Sequence, residues 1–316
     1  MPPARVVFVA LLLLAIPATA RAHSDCIFLQ DGNVMRLLAD CRTDTSIEIP
    51  DGFTLDGGTH AIVAVDPPGG TFSGAVIVAR GGTANVIRTT VTTDGLVNTC
   101  AEADSRLRGI YFDGASGEIA GNFIDTIHRG PSSCEEGNAI EVRNRDRDGT
   151  PTQVTISGNY VEQFQKTGIV VHGRVAARIQ DNFIGSSVSS RLISPNGIHV
   201  GQAAVALVER NTISGLFAGV TAAGSAILII ESGPDTLVDR NEISGDPDVG
   251  IYVIADGVTV TNNQLVDGGV SRQGDIGIVN LGLDNAYFNN SITGYRTRSY
   301  GMETASPREP RGGQVE

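Results

Sequence analysis

The chain has 316 residues, a formal net charge of −12, 39 glycines, four cysteines and no tryptophan. That acidic balance excludes a nucleic-acid-binding surface, which needs a basic face for the phosphate backbone. Lys166 is the only lysine, so a polyanionic ligand requires a local patch built mainly from arginine.

Residues 1–22 read as a leader. Met1 to Arg5 is a short basic start, Val6 to Ile16 is an unbroken apolar run, and Pro17 and small residues to Ala22 follow. This is the layout of a secretory signal peptide, with cleavage expected after Ala20 or Ala22. The run is too short to span a bilayer, which takes about 20 residues. No membrane span is expected, and the protein is expected to be secreted, periplasmic or extracellular. An even cysteine count in an exported chain predicts two disulfides. Three pairings are open, and proximity favours Cys26–Cys41 and Cys100–Cys134.

Residues 23–66 lack the repeat that follows and are expected to cap it. Short strands are predicted near 35–38, 46–49, 53–55 and 61–65, from their apolar alternation.

From residue 67 to 296 two phrases alternate. The first is apolar, two residues, Asn, one residue, apolar. It is centred on Asn122, Asn159, Asn182, Asn211, Asn241, Asn263 and Asn290, at intervals of 22 to 37 residues. The second is small, apolar, any, apolar: GIYF (109–112), AIEV (139–142), GIVV (168–171), GIHV (197–200), GVTA (219–222), GIYV (250–253) and GIVN (277–280). Two short strands recurring at one combined period describe the coils of a solenoid. The fold expected is all-β, a right-handed parallel β-helix with an N-terminal cap and an internal Asn ladder. Residues 297–316 are polar, contain two prolines and are expected to be a disordered tail. A monomer is expected.

Alternation within the second phrase points every other side chain outward. One outward column runs Tyr111, Glu141, Val170, His199, Thr221, Tyr252 and Val279. The next runs Asp113, Arg143, His172, Gly201, Ala223, Ile254 and Leu281. Ionisable residues crowd the first four coils and leave the last three nearly bare. Arg106, Arg108, Glu136, Asn138, Lys166 and Asn196 lie just before these strands and enrich the same patch.

Proton abstraction beside a uronate carboxylate needs a base, an acid and a cation for the carboxylate. Lys166, His172 and His199 are the candidate base and acid, and Arg143 the carboxylate partner. Arg106, Arg108, Tyr111, Asn138 and Asn196 are candidate substrate contacts. Asp113, Glu136 and Glu141 are candidate ligands for Ca²⁺, which prefers several oxygens.

The phrases EGNAIEVRN (136–144), QKTGI (165–169) and PNGIHVG (195–201) resemble secreted bacterial β-helix repeat proteins of the pectate-lyase-like superfamily. The resemblance covers most of the mature length and implies polysaccharide as the partner. Characterised members include polysaccharide lyases, pectin hydrolases and uronate epimerases. The epimerase Asp-Pro-His-Asp signature and the paired-Asp hydrolase motifs are absent. A lyase acting by β-elimination is therefore the activity the resemblance contradicts least, with non-catalytic glycan binding or a cell-surface structural role as the alternative.

Overall fold

The computed structural model describes residues 23–302, apart from 131, 147–148, 189–191, 218–222 and 269–274. The leader, Thr221 and residues 303–316 lie outside the described residues.

Short strands step in register through three sheets of ten, eleven and ten strands. Each full coil adds one strand to each sheet. Arg108–Asp113, for example, pairs in parallel with Ala75–Arg80 on one side and Asn138–Asn144 on the other. Sheet I carries the second phrase. Sheet II holds the apolar residues that precede each ladder Asn, and sheet III holds the two or more residues that follow it. The chain is thus the expected parallel β-helix.

The core lies along the axis because each sheet turns one face inward. Ile110, Ile140, Ile169, Ile198, Ile227 and Ile251 stack as a fully buried row of sheet I. They meet Ile119, Ile156, Ile179, Val208 and Val238 from sheet II and Ile124, Val161, Ile184 and Ile213 from sheet III. Each such side chain contributes roughly 1.5–3 kcal/mol of burial. The small residue that opens the second phrase has a steric origin. A Cβ on Gly168 would stand 2.7 Å from the Gly197 carbonyl oxygen and 2.9 Å from Ile184 Cγ2.

The Asn ladder is continuous. Asn122, Asn159, Asn182, Asn211, Asn241 and Asn263 each donate Nδ2–H to the next Oδ1, at 2.9–3.0 Å, ending on Asn290. Each Nδ2 also donates to a backbone carbonyl of the preceding coil, as Asn182 does to Ile156. From Asn159 onward each Oδ1 also accepts the backbone N–H of the Asn before it, and Asn122 Oδ1 accepts that of Thr89. The residue just before each ladder position turns the corner in the left-handed region. Asp181, Arg210 and Arg240 adopt φ of 52–57° there, a conformation that disfavours L side chains by about 1 kcal/mol, and Gly121 and Gly158 hold the same corner without that cost.

Both ends differ from the sequence reading. The first coils begin inside the segment expected to be only a cap. Ile47–Ile49, Phe53–Asp56 and Ala61–Ala64 already pair in parallel with the coil that follows. The capping element proper is Phe28–Asp31, which folds back antiparallel on Val34–Leu37. At the other end Thr297–Tyr300 pairs with Ile276–Asn280, so the helix continues past residue 296. The seventh strand of sheet I, at the place expected for GVTA, is Ser225–Ile230. The AILII run supplies two inward isoleucines, Ile227 and Ile229, where GVTA offers one aliphatic residue and an alanine, and Leu228 and Ile230 take the outward places expected for Thr221 and Ala223.

Candidate functional site

The outward side of sheet I is not a solvated face in its first coils. Segments 94–107 and 125–137 are pinned to one another and cover it. Cys100 and Cys134 form a disulfide between them, as Cys26 and Cys41 do at the N-terminal end. The Glu136 carboxylate accepts backbone N–H groups from Ala101 and Leu107 and pairs with Arg129 Nε at 3.3 Å, both side chains being buried. Arg108 lies fully buried beneath the first segment, donating to the carbonyls of Ala103, Asp104 and Arg106.

From Arg108 a polar chain runs across the coils. Its Nε meets Glu141 Oε2 at 2.8 Å, and its guanidinium lies 4.6 Å from the Tyr111 ring centre. Asn138 Nδ2 donates to the same carboxylate oxygen. Glu141 Oε1 faces Arg143 at 3.3 Å, Arg143 reaches His172 Nδ1 at 3.4 Å, and His172 Nε2 meets His199 Nε2 at 3.2 Å. The strand register dictates this order: Glu141 sits beside Tyr111, Arg143 beside Asp113, and His172 one rung on.

Burial pushes the pKa of Glu141 up, but Arg108, Arg143 and Asn138 outweigh it and hold the carboxyl below its ordinary value. Tyr111 is pushed up to about 12 by desolvation, helped by the charges of Asp113 and Glu141. Desolvation, with Arg143 beside it, lowers His172 to about 4. His199 falls to about 3 through desolvation, then His172, Lys166 and Arg143. Both imidazoles are neutral at pH 7.

Their tautomers follow. A guanidinium only donates, so His172 Nδ1 accepts from Arg143 and its proton sits on Nε2. That proton is donated to His199 Nε2, which leaves the His199 proton on Nδ1. In this state neither ring has a lone pair to spare for a substrate proton or a metal. Lys166 is also engaged, with Nζ 2.5 Å from Glu135 Oε2 and donating to the Ser194 carbonyl at 2.8 Å.

The remaining expected residues separate. Asn196 is buried and accepts from Ser225 Oγ at 3.1 Å, while Arg106 is exposed. Asp113 pairs with Arg80 at 3.3 Å. Asp113, Glu136 and Glu141 therefore answer to different arginines, Arg80, Arg129, and Arg108 with Arg143, and form no common oxygen cage. Among the described residues only Asp25, Cys26 and Cys41 bring three metal-ligand atoms together, and those cysteines are disulfide-bonded. The carboxylates do not fit Ca²⁺.

Beside this chain lies a cleft of about 910 Å³ lined by Arg143, Arg145, Arg174, Gln202 and Glu231 among others. Arg145, Arg174 and Gln202 were missed in the sequence because they occupy the corner after the sheet I strands, where alternation ends. Arg143 joins cleft and chain. Its Nε is buried without a hydrogen-bond partner, as are Glu141 Oε1, Asn138 Oδ1 and Tyr111 Oη nearby.

Fold and site together define a parallel β-helix carrying a roofed polar cluster and an arginine-lined cleft. The model of the right-handed β-helix region matches residues 138–306, and the chain belongs to that family. No curated protein matches by sequence. Among solved structures the chain is similar to the Dettilon tailspike protein, at 12% identity and a TM-score of 0.47 over 85% of this chain and 61% of that one. It is also similar to the periplasmic alginate epimerase AlgG, at 12% identity and a TM-score of 0.44 over 84% and 83%. A third is tailspike protein 3 of bacteriophage CBA120, at 10% identity and a TM-score of 0.40 over 84% and 53%. The chain thus spans under two thirds of either tailspike's length. No helix among the described residues is long and apolar enough to cross a membrane.

Proposed function

We propose that this protein is a glycan-binding β-helix that works outside the cytoplasm and holds a carboxylated polysaccharide in the cleft beside Arg143. Arg143 carries the reading. It lines the cleft between Arg145 and Arg174 and keeps a buried donor without a partner. The Arg143 side chain is 21% exposed where it lines the cleft, so a carboxylate seated there can reach its guanidinium. Arginine also suits the planar, two-oxygen geometry of a uronate carboxylate. Two disulfides and no free cysteine among the described residues support an oxidising compartment.

Binding is favoured over β-elimination because the expected bases are occupied. His172 and His199 saturate one another and Lys166 is ion-paired. The test is calorimetric titration with uronate oligosaccharides and their carboxyl-reduced forms, with absorbance followed for unsaturated product. Binding of the uronate forms only, with no absorbance change, is expected. Unsaturated product, or equal affinity for the reduced forms, overturns the reading.

A further inference from the structure

The two ends of the helix are not equivalent. At the N-terminal end the hairpin of Phe28–Asp31 and Val34–Leu37 closes the first coil and Cys26–Cys41 fastens it. The last coil consists of Ala286–Phe288, Ser291–Thr293 and Thr297–Tyr300, and each of these is the terminal strand of its sheet. Its inward positions are only partly closed, by a buried Tyr295 and by Met302 packed against the core. Val260 and Leu265 are fully buried, but Tyr287 and Ile292, one rung later in the same rows, are only half-buried. On the outward side of the same coil Phe288 is 50% exposed and Tyr300 58%. Among the described residues these three strand edges are unpaired and frame half-buried apolar side chains, a ready template for further pairing.

We propose that two copies of this chain associate end to end through their last coils. One added peptide strand satisfies one edge; only another three-sided coil satisfies all three together. A two-fold axis perpendicular to the helix reverses the sense of winding, so every new strand pair is antiparallel. The axis sets Thr297–Tyr300 against itself and Ala286–Phe288 against Ser291–Thr293 of the second copy, two strands of equal length. Keeping inward residues on inward residues places Tyr287 over Ile292 of the second copy and Ser299 over its own equivalent. Arg298 then falls opposite Tyr300, a cation over an aromatic ring rather than like charges face to face. The chain's own residues 303–316 are poor competitors for this surface, since they contain no Leu, Ile, Met, Phe, Tyr or Trp. This association departs from the monomer expected from the sequence.

The experiment is light scattering on the size-exclusion eluate of the mature protein over a hundredfold concentration range. A dimer mass at the upper concentrations is expected. Tyr300→Arg, which opposes Arg298, and Phe288→Asp should each return the monomer mass with an unchanged circular dichroism spectrum. Ser299→Cys should give a disulfide-linked dimer on oxidation. A monomer mass throughout overturns the proposal. So does a dimer that withstands both substitutions, or one in which Ser299→Cys fails to cross-link.

Discussion

The imidazoles of His172 and His199 meet Nε2 to Nε2 at 3.2 Å with their planes 84° apart. They form one unit that carries two ring protons and no positive charge. Arg143 fixes which nitrogen holds each proton, so the pair belongs to the same network as the cleft.

That pair makes stability depend on pH in a definite direction. Both histidines are lowered in the fold, to about 4 and about 3, from an ordinary value near 6.5. The unfolded chain therefore takes up protons first on acidification. The stabilising contribution is complete above pH 6.5 and is lost as pH falls through the folded values. Melting temperature should drop between pH 6.5 and 4, and His199→Gln should flatten that slope. An equal slope in the variant would rule the pair out as its source.

Arg108 and Glu141 are both buried, so removing one partner strands the other. Arg108→Met is expected to destabilise by about 3–5 kcal/mol in denaturant unfolding. The exposed pair Arg145–Asp104 should be worth under about 1 kcal/mol by the same measurement.

Position along the Asn ladder should set the cost of breaking it. Asn182→Ala removes a donor shared with Ile156 and Asn211 and an acceptor for Asn159. About 2–4 kcal/mol is expected, from several buried bonds at about 1 kcal/mol each. Asn290→Ala, where the ladder ends half-buried, should cost less. Equal losses would show that the amides act one by one rather than as a stack.

Arg143→Ala should weaken uronate binding at least tenfold, and added salt should weaken the native interaction as screening predicts. Arg36→Ala, at the far N-terminal end, should leave binding unchanged.

The winding was legible in the sequence because it rests on periodic features: an Asn every coil and isoleucine rows at inward positions. The Cys100–Cys134 bridge was legible for the same reason, since consecutive coils bring their loops together. The site was harder to read. Alternation placed Tyr111, Glu141 and Arg143 outward correctly, but outward proved not to mean exposed. The roof is formed by loops 94–107 and 125–137, whose path over the sheet has no period to betray it. Glu136, expected to hold a metal, instead ties those loops down. Thr221 was misplaced because a seven-residue shift separates GVTA from the strand that fills its rung.

The corner before each ladder Asn carries a further consequence. Gly121 and Gly158 turn it in two coils, but Asp181, Arg210, Arg240, Asn262 and Asn289 turn it without glycine, so the amide stack holds the bend whatever residue occupies it. Whole turns can then be inserted or removed between any two asparagines without redesigning a hinge. The length of such a protein is free to drift by unit steps while its cross-section stays constant.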